Sequence, residues 1–130
     1  RVLVVDDEAD IRKMVKMTLA KAGYDVIEAE DGEKGIAAVR SGDNPLVLNT
    51  IICDLAMPNV GGMEAIAYFR SQFPSVPVIV LSGTGTIEKA STLFKQGVVE
   101  YLNKPIEPDK LTAAVHKAVK QSGYKDDHVT

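Results

Sequence analysis

Five short apolar runs, each followed by a segment with helical spacing, constrain this chain more than any other feature. The runs are "VLVV" (2–5), "YDVIEA" (24–29), a strand within "LVLNTIIC" (46–53), "VIVL" (78–81) and "VEYL" (99–102). "VLVV" is apolar on both faces, as a strand covered on both sides must be. Between the runs, Ile11, Met14, Val15, Leu19 and Ala22 recur at helical spacing, and Gly23 follows as a stop. Residues 33–40 read as a short helix with Ile36 and Val39 inward, ended by "SGDNP". Residues 62–73 place Met63, Ile66, Ala67 and Phe69 on one side, and residues 87–96 do the same with Ile87, Ala90, Leu93 and Phe94 before Gly97. Leu111, Ala114, Val115, Ala118 and Val119 mark a last helix. Pro77 fits a first strand position. Strands alternating with helices imply a parallel sheet with helices on both faces. Right-handed crossovers leave few ways to wind it. The second run alternates apolar and polar residues and suits an edge. The expected fold is therefore α/β, a doubly wound five-stranded parallel sheet in the order 2-1-3-4-5.

A length of 130 residues suits one domain. We expect it to occupy residues 1–121, with 122–130 as a polar tail or the start of a linker. The chain opens at Arg1 inside an apolar run and so reads as trimmed there. A net charge of −3 disfavours a nucleic-acid surface. The single cysteine, Cys53, excludes an internal disulfide and a multi-cysteine metal site, and fits a reducing cytoplasm. No apolar run reaches the roughly 20 residues of a membrane span. Cys53 reads as a core thiol, because strand alternation turns it away from its neighbour Asp54.

In open sheets of this kind ligands bind beyond the carboxyl ends of the strands, where the winding reverses. That point lies between the first and third strands. The first strand ends on Asp6 and Asp7, the third on Asp54, the fourth on Ser82, and the fifth near Lys104. The topology thus gathers three carboxylates, a hydroxyl and an ammonium in one shallow crevice. Clustered carboxylates need a compensating cation. A few oxygen ligands in an open site suit Mg²⁺, which keeps several waters. A metal and a lysine can hold a phosphoryl group while a facing carboxylate acts as nucleophile. Each residue also has a plainer reading. Asp7 caps a helix, Asp54 and Ser82 serve turns, and Lys104 is a solvated loop lysine. Chance would scatter such residues, however, rather than set all of them at the predicted site. Glu8 reads as a first-turn helix residue favoured by the macrodipole.

"LVVDDE", "CDLAMPNVGG", "VIVLSG" and "YLNKP", in this order across nearly the whole chain, resemble a bacterial two-component response-regulator receiver domain, similar to the chemotaxis regulators. The resemblance implies the flavodoxin-like (βα)5 fold and a phosphorylation-dependent signalling switch. Asp54 would accept a phosphoryl group from a sensor histidine kinase or a phosphotransfer protein. Mg²⁺ or Mn²⁺ would be bound by Asp7, Asp54 and the Ala56 backbone carbonyl, with Asp6 acting mainly through water. Ser82 and Lys104 would hold phosphoryl oxygens, and the Lys104–Pro105 peptide would be cis. Tyr101 would turn inward when Ser82 moves. The face made by the fourth helix, fifth strand and fifth helix would then change shape toward a downstream effector domain or protein, and that face also suits a homodimer. The resemblance implies no enzyme activity beyond Mg-dependent self-phosphorylation and autodephosphorylation, and no direct binding of nucleic acid or membrane.

The chain departs from the family pattern in places. "SGDNPLVLNTIIC" is a few residues long, on the side opposite the site. Ala56 and Thr84 occupy variable positions that modulate rate. Ala56 offers no side-chain donor to an attacking water, which leaves phosphate lifetime to Thr84 and solvent access. Three rivals are weighed. A flavin carrier on this fold needs phosphate donors after the first strand, where "DDE" repels. A haloacid-dehalogenase-type phosphatase needs D-x-D-x-[TV], which "DDEAD" does not supply. A phosphorylation-independent pseudo-receiver interaction module would lack part of the acidic–lysine set, which is whole here.

Overall fold

The computed structural model describes residues 1–57, 60–83 and 87–129, with Ile87 and residues 121–129 described by backbone alone. The element order is β1 (Val2–Val5), α1 (Ala9–Lys21), β2 (Val26–Ala29), α2 (Gly32–Arg40), α3 (Asn44–Val47), β3 (Thr50–Asp54), α4 (Gly62–Gln72), β4 (Val78–Ser82), α5 (Ile87–Lys95), β5 (Glu100–Asn103) and α6 (Pro108–Val129). The sheet is wholly parallel in the order β2-β1-β3-β4-β5, as the apolar pattern requires. The fourth and fifth helices expected from sequence are α5 and α6. The helix of α6 runs past residue 121, through the segment read as a tail.

Side-chain alternation sorts the sheet into two cores. Leu3, Val5, Ile51, Cys53, Val78 and Val80 pack with Ala65, Ile66 and Phe69 of α4 and Leu93 of α5. Val2, Val4, Ile52, Ile79 and Leu81 pack on the other face with Val15 and Leu19 of α1 and with Leu111, Val115 and Ala118 of α6. Burying an aliphatic side chain of this kind contributes about 1.5–3 kcal/mol. Period-two alternation has a further consequence. Asp6, Asp54 and Lys104 stand two residues beyond Val4, Ile52 and Leu102, which all belong to the second core. The three polar residues therefore leave their strands on the same side.

Several local expectations need correction. β2 starts at Val26, not residue 24, because Gly23 (φ 94°) turns the chain out of α1 and Tyr24 and Asp25 complete that turn. Met63 and Ala67 are exposed, and Ala65 and Gly62 take the inward places. Gly62 seats the first turn of α4 directly on the backbone of Asp54 and Leu55, which sets the helix phase and rotates Met63 outward. Phe94 is 47% exposed, since Leu93 alone of that pair faces the core. Ala22 is also exposed. The extra residues before β3 form α3, favoured by Pro45 in its first turn. Arg1 Nη1 donates to Asp43 Oδ1 and Asn44 Oδ1 at 2.7 Å each, which holds α3 at the amino end of β1. No helix among the described residues is long and apolar enough to cross a membrane.

Candidate functional site

The carboxyl ends of β1, β3, β4 and β5 are tied side by side. Val5 is paired with Cys53, Asp54 with Leu81, and Ser82 with Asn103. Beyond the ladder, the Lys104 amide donates to the Ser82 carbonyl at 2.9 Å, and the Leu55 amide to the Leu81 carbonyl at 3.1 Å. Lys104 precedes Pro105 through a cis peptide.

Lys104 Nζ is the centre of the cluster. It lies 3.0 Å from Asp6 Oδ2, 3.4 Å from Glu8 Oε1 and 3.5 Å from Asp54 Oδ1. Asp6 and Asp54 are buried, whereas Glu8 is exposed. Asp6 Oδ1 accepts from the Glu8 amide at 2.9 Å. Asp6 Oδ2 is buried with no aligned hydrogen bond among the described residues, despite its close ion pair with Lys104. Asp54 Oδ1 accepts a long bond from the Ala56 amide at 3.3 Å. Asp7 is exposed at the rim, and carboxylate oxygens of Asp6, Asp7 and Glu8 all lie within 4.8 Å of one another.

Electrostatics follow from this crowding. Burial, and then the Asp6 charge, push the Asp54 carboxyl up to about 6. Burial also raises Asp6, against the opposing pull of the Glu8 amide and Lys104. Burial works against the Lys104 ammonium, yet Asp6, Asp54 and Glu8 outweigh it and hold its proton above the usual lysine range. One lysine thus serves three carboxylates. A buried carboxylate oxygen lacking a hydrogen bond, beside further oxygens and an open rim, suits a hard divalent cation such as Mg²⁺. Asp6, Asp7 and Asp54 supply the chemistry of such a donor set. Cys53 lies in the core on the opposite face, and burial pushes its thiol well above the ordinary range, so it takes no part.

Most residues expected from sequence meet here. Asp6, Asp54 and Lys104 touch, and Ser82 is buried at the adjoining end of β4. Tyr101 is half-buried on β5 and packs on the core that holds Leu93 of α5, with its hydroxyl buried and without a hydrogen-bond partner among the described residues. Ala56 is exposed at the rim. Thr84 lies outside the described residues. One plainer reading of the acidic run falls, and one expectation about it is corrected. The residue at the start of α1 is Glu8 in extended backbone, not Asp7, and its side chain makes no capping bond. Glu8 accordingly stands just before the first turn, which begins at Ala9, and its carboxylate reaches Lys104. Sequence reasoning also missed Arg12. Its Nη1 donates to the Asp6 carbonyl at 2.6 Å, and its Nε lies 3.4 Å from Glu28 Oε1. A usable signal existed, since a cation near a helix N-terminus opposes the macrodipole unless an acidic neighbour compensates.

Comparison with known proteins agrees with this fold. The response regulator receiver domain model matches residues 2–116. The transcriptional regulatory protein GlrR of Escherichia coli (strain K12) is 34% identical over 125 residues, 96% of this chain and 27% of that protein. FixJ of Bradyrhizobium diazoefficiens is 29% identical over 121 residues, 93% of this chain and 57% of that protein. This chain therefore spans between about a quarter and somewhat over half of these relatives. Among solved structures, a response regulator receiver domain protein from Clostridium thermocellum superimposes with a TM-score of 0.87 at 29% identity, covering 95% of this chain and 96% of that one. The receiver domain of NtrX from Brucella abortus gives 0.83 at 29% identity, covering 92% and 98%. Sheet order, strand-end carboxylates and this match across nearly the whole chain lead to one assignment: the chain belongs to the response regulator receiver domain family.

Proposed function

We propose that this domain is a phosphorylation-operated switch in a two-component pathway, with Asp54 as the phosphoacceptor. One observation carries the reading: the buried Asp54 carboxylate stands 3.5 Å from Lys104, which also pairs with Asp6 at 3.0 Å. A phosphohistidine on a sensor kinase or phosphotransfer protein is the donor. An Asp54 oxygen forms the new bond to phosphorus, the phosphorus–nitrogen bond breaks, and the imidazole leaves with the electron pair. Lys104 then exchanges a carboxylate oxygen for a phosphoryl oxygen, and Ser82 takes another. Asp6, Asp7, Asp54 and the Ala56 carbonyl would hold Mg²⁺ or Mn²⁺. When bound, the cation supplies charge neutralisation for the incoming phosphoryl group. The domain acts on no free metabolite, and its self-phosphorylation and autodephosphorylation serve the switch.

Output runs through Tyr101 and the face of α5, β5 and α6. Among the described residues the buried Tyr101 hydroxyl has no partner; a buried hydroxyl in that state costs about 1–3 kcal/mol, which favours a ring ready to change place. Relatives are transcriptional regulators, so an effector domain or protein is the reader of this face, in the cytoplasm. The test is incubation with phosphoramidate and Mg²⁺, followed by a phosphate-affinity gel, with Asp54→Asn as control. A retarded band that needs both Mg²⁺ and Asp54 supports the proposal. A wild-type protein unmodified under all conditions, and unaltered by beryllofluoride, would make this a phosphorylation-independent interaction module.

A further inference from the structure

We infer that Arg12 is a positioning residue for the acidic pair, acting through the backbone of Asp6. This rests on the reading of Asp6 and Asp7 as cation ligands. The Asp6 main chain is pinned on both sides. Its amide donates to the Ala29 carbonyl at 3.1 Å, and its carbonyl accepts from Arg12 Nη1 at 2.6 Å. The second bond fixes the peptide plane joining Asp6 to Asp7, and with it the direction in which Asp7 leaves the strand.

Arg12 is itself held in place. Its side chain is only 16% exposed, and Nε faces Glu28 Oε1 on β2 at 3.4 Å, while Lys16 Nζ approaches Glu28 Oε2 at 3.6 Å. A planar guanidinium can meet a carboxylate with one edge and a carbonyl with another, whereas a lysine ammonium lacks that fork. The contact therefore bridges β2, α1 and the end of β1, and it orients the ligand pair while touching neither carboxylate.

Position and charge make opposite forecasts, which allows a decisive test. Arg12 places a positive charge near a site for a cation. If charge were its whole effect, Arg12→Ala would tighten Mg²⁺ binding and Arg12→Lys would leave it unchanged. If it orients the pair, both variants weaken binding, with Arg12→Ala weaker than Arg12→Lys. Loss of a residue that orients a ligand typically costs tenfold or more, so we expect roughly tenfold for Arg12→Ala. Mg²⁺ affinity is measured by isothermal titration on the isolated domain, without a phosphodonor, after urea titration shows each variant folded. The carbonyl ¹³C shift of Asp6 supplies an independent readout and should move in Arg12→Ala. Tighter or unchanged Mg²⁺ binding in Arg12→Ala, or an unmoved Asp6 carbonyl shift, overturns the inference. Wild-type protein that ignores Mg²⁺ would overturn both it and the proposed function. Wild-type protein that binds Mg²⁺ yet is never phosphorylated would overturn the latter alone.

Discussion

Replacing Asp54 with asparagine should stabilise the metal-free domain above pH 6. The carboxyl of Asp54 is held at about 6 instead of its ordinary 3.8, chiefly by burial and secondarily by Asp6. At about 1.4 kcal/mol per tenfold change in proton affinity, ionising it inside the fold costs about 3 kcal/mol. The sign follows from the proton balance. Below pH 3.8 the group is neutral in both folded and unfolded chains, and the penalty is absent. Between 3.8 and about 6 the unfolded chain ionises while the folded one resists, so stability falls as pH rises. Above that the full penalty is present and the curve is flat with respect to this group. Asparagine keeps the shape and can still accept from the Ala56 amide, but carries no charge. The advantage of Asp54→Asn should therefore be near zero at pH 3.5 and grow through pH 5. At pH 7.5 it should level at about 3 kcal/mol, or roughly 10 °C in melting temperature for a domain of this size. Urea titrations at several pH values, with chelator present, measure it. Equal or lower stability of Asp54→Asn at pH 7.5 would refute the burial argument. Adding Mg²⁺ should then close most of the gap, since a bound cation stabilises the wild-type fold by mass action and has less to bind in the variant.

Three further outcomes are expected. Glu8→Gln removes an exposed partner of Lys104, so stability should change by less than about 1 kcal/mol. Phosphorylation by phosphoramidate at saturating Mg²⁺ should meanwhile quicken, because Lys104 is freer to meet the phosphoryl group; a slower initial rate would count against that role. Gly62→Ala would bring a Cβ within 2.3 Å of the Asp54 carbonyl oxygen and 2.5 Å of Leu55 Cα, both rigid backbone. Overpacking of this kind costs about 1–3 kcal/mol, and a urea midpoint equal to wild type would contradict the tight seating of α4. Ala56→Asn should shorten the lifetime of the phosphorylated form, followed by decay of radiolabelled protein, and an unchanged lifetime would show that the missing donor is immaterial.

The sheet was legible because its physics is one-dimensional. Three runs buried on both faces, with a half-buried run at each edge, must be strands of a covered parallel sheet, and the winding rules then dictate where their ends meet. Asp6, Asp54 and Lys104 converge because of strand parity, which can be counted along the chain. Helix phase was harder. Met63 and Ala67 fit an apolar stripe as well as Ala65 does, and only the seating of Gly62 on Asp54 and Leu55 decides between them. Phe94 beside Leu93 poses the same ambiguity, and a large apolar residue is no guarantee of burial. Glu8 and Arg12 were misread or missed for another reason. Their partners, Lys104 and the Asp6 carbonyl, are fixed by tertiary placement, and a backbone carbonyl leaves no mark in a sequence.

Charge explains why such a site is built on strand ends. Free carboxylates would spread apart, but Asp6 and Asp54 are anchored to adjacent strands and cannot. Lys104 offsets one negative charge of the three it touches, so a deficit of positive charge remains at the crevice. Phosphorylation of Asp54 would replace its single carboxylate charge by a phosphoryl charge of about −1.5 to −2, and so deepen that deficit by about one further charge at most. In our proposed function the cation and the phosphoryl group therefore need one another, and thermodynamic linkage makes the need reciprocal. Whatever factor Mg²⁺ contributes to the stability of the aspartyl phosphate, the phosphoryl group must return to Mg²⁺ affinity. A rigid acidic cluster with too little positive charge is poor at resting alone, and for the same reason it is well suited to be a switch.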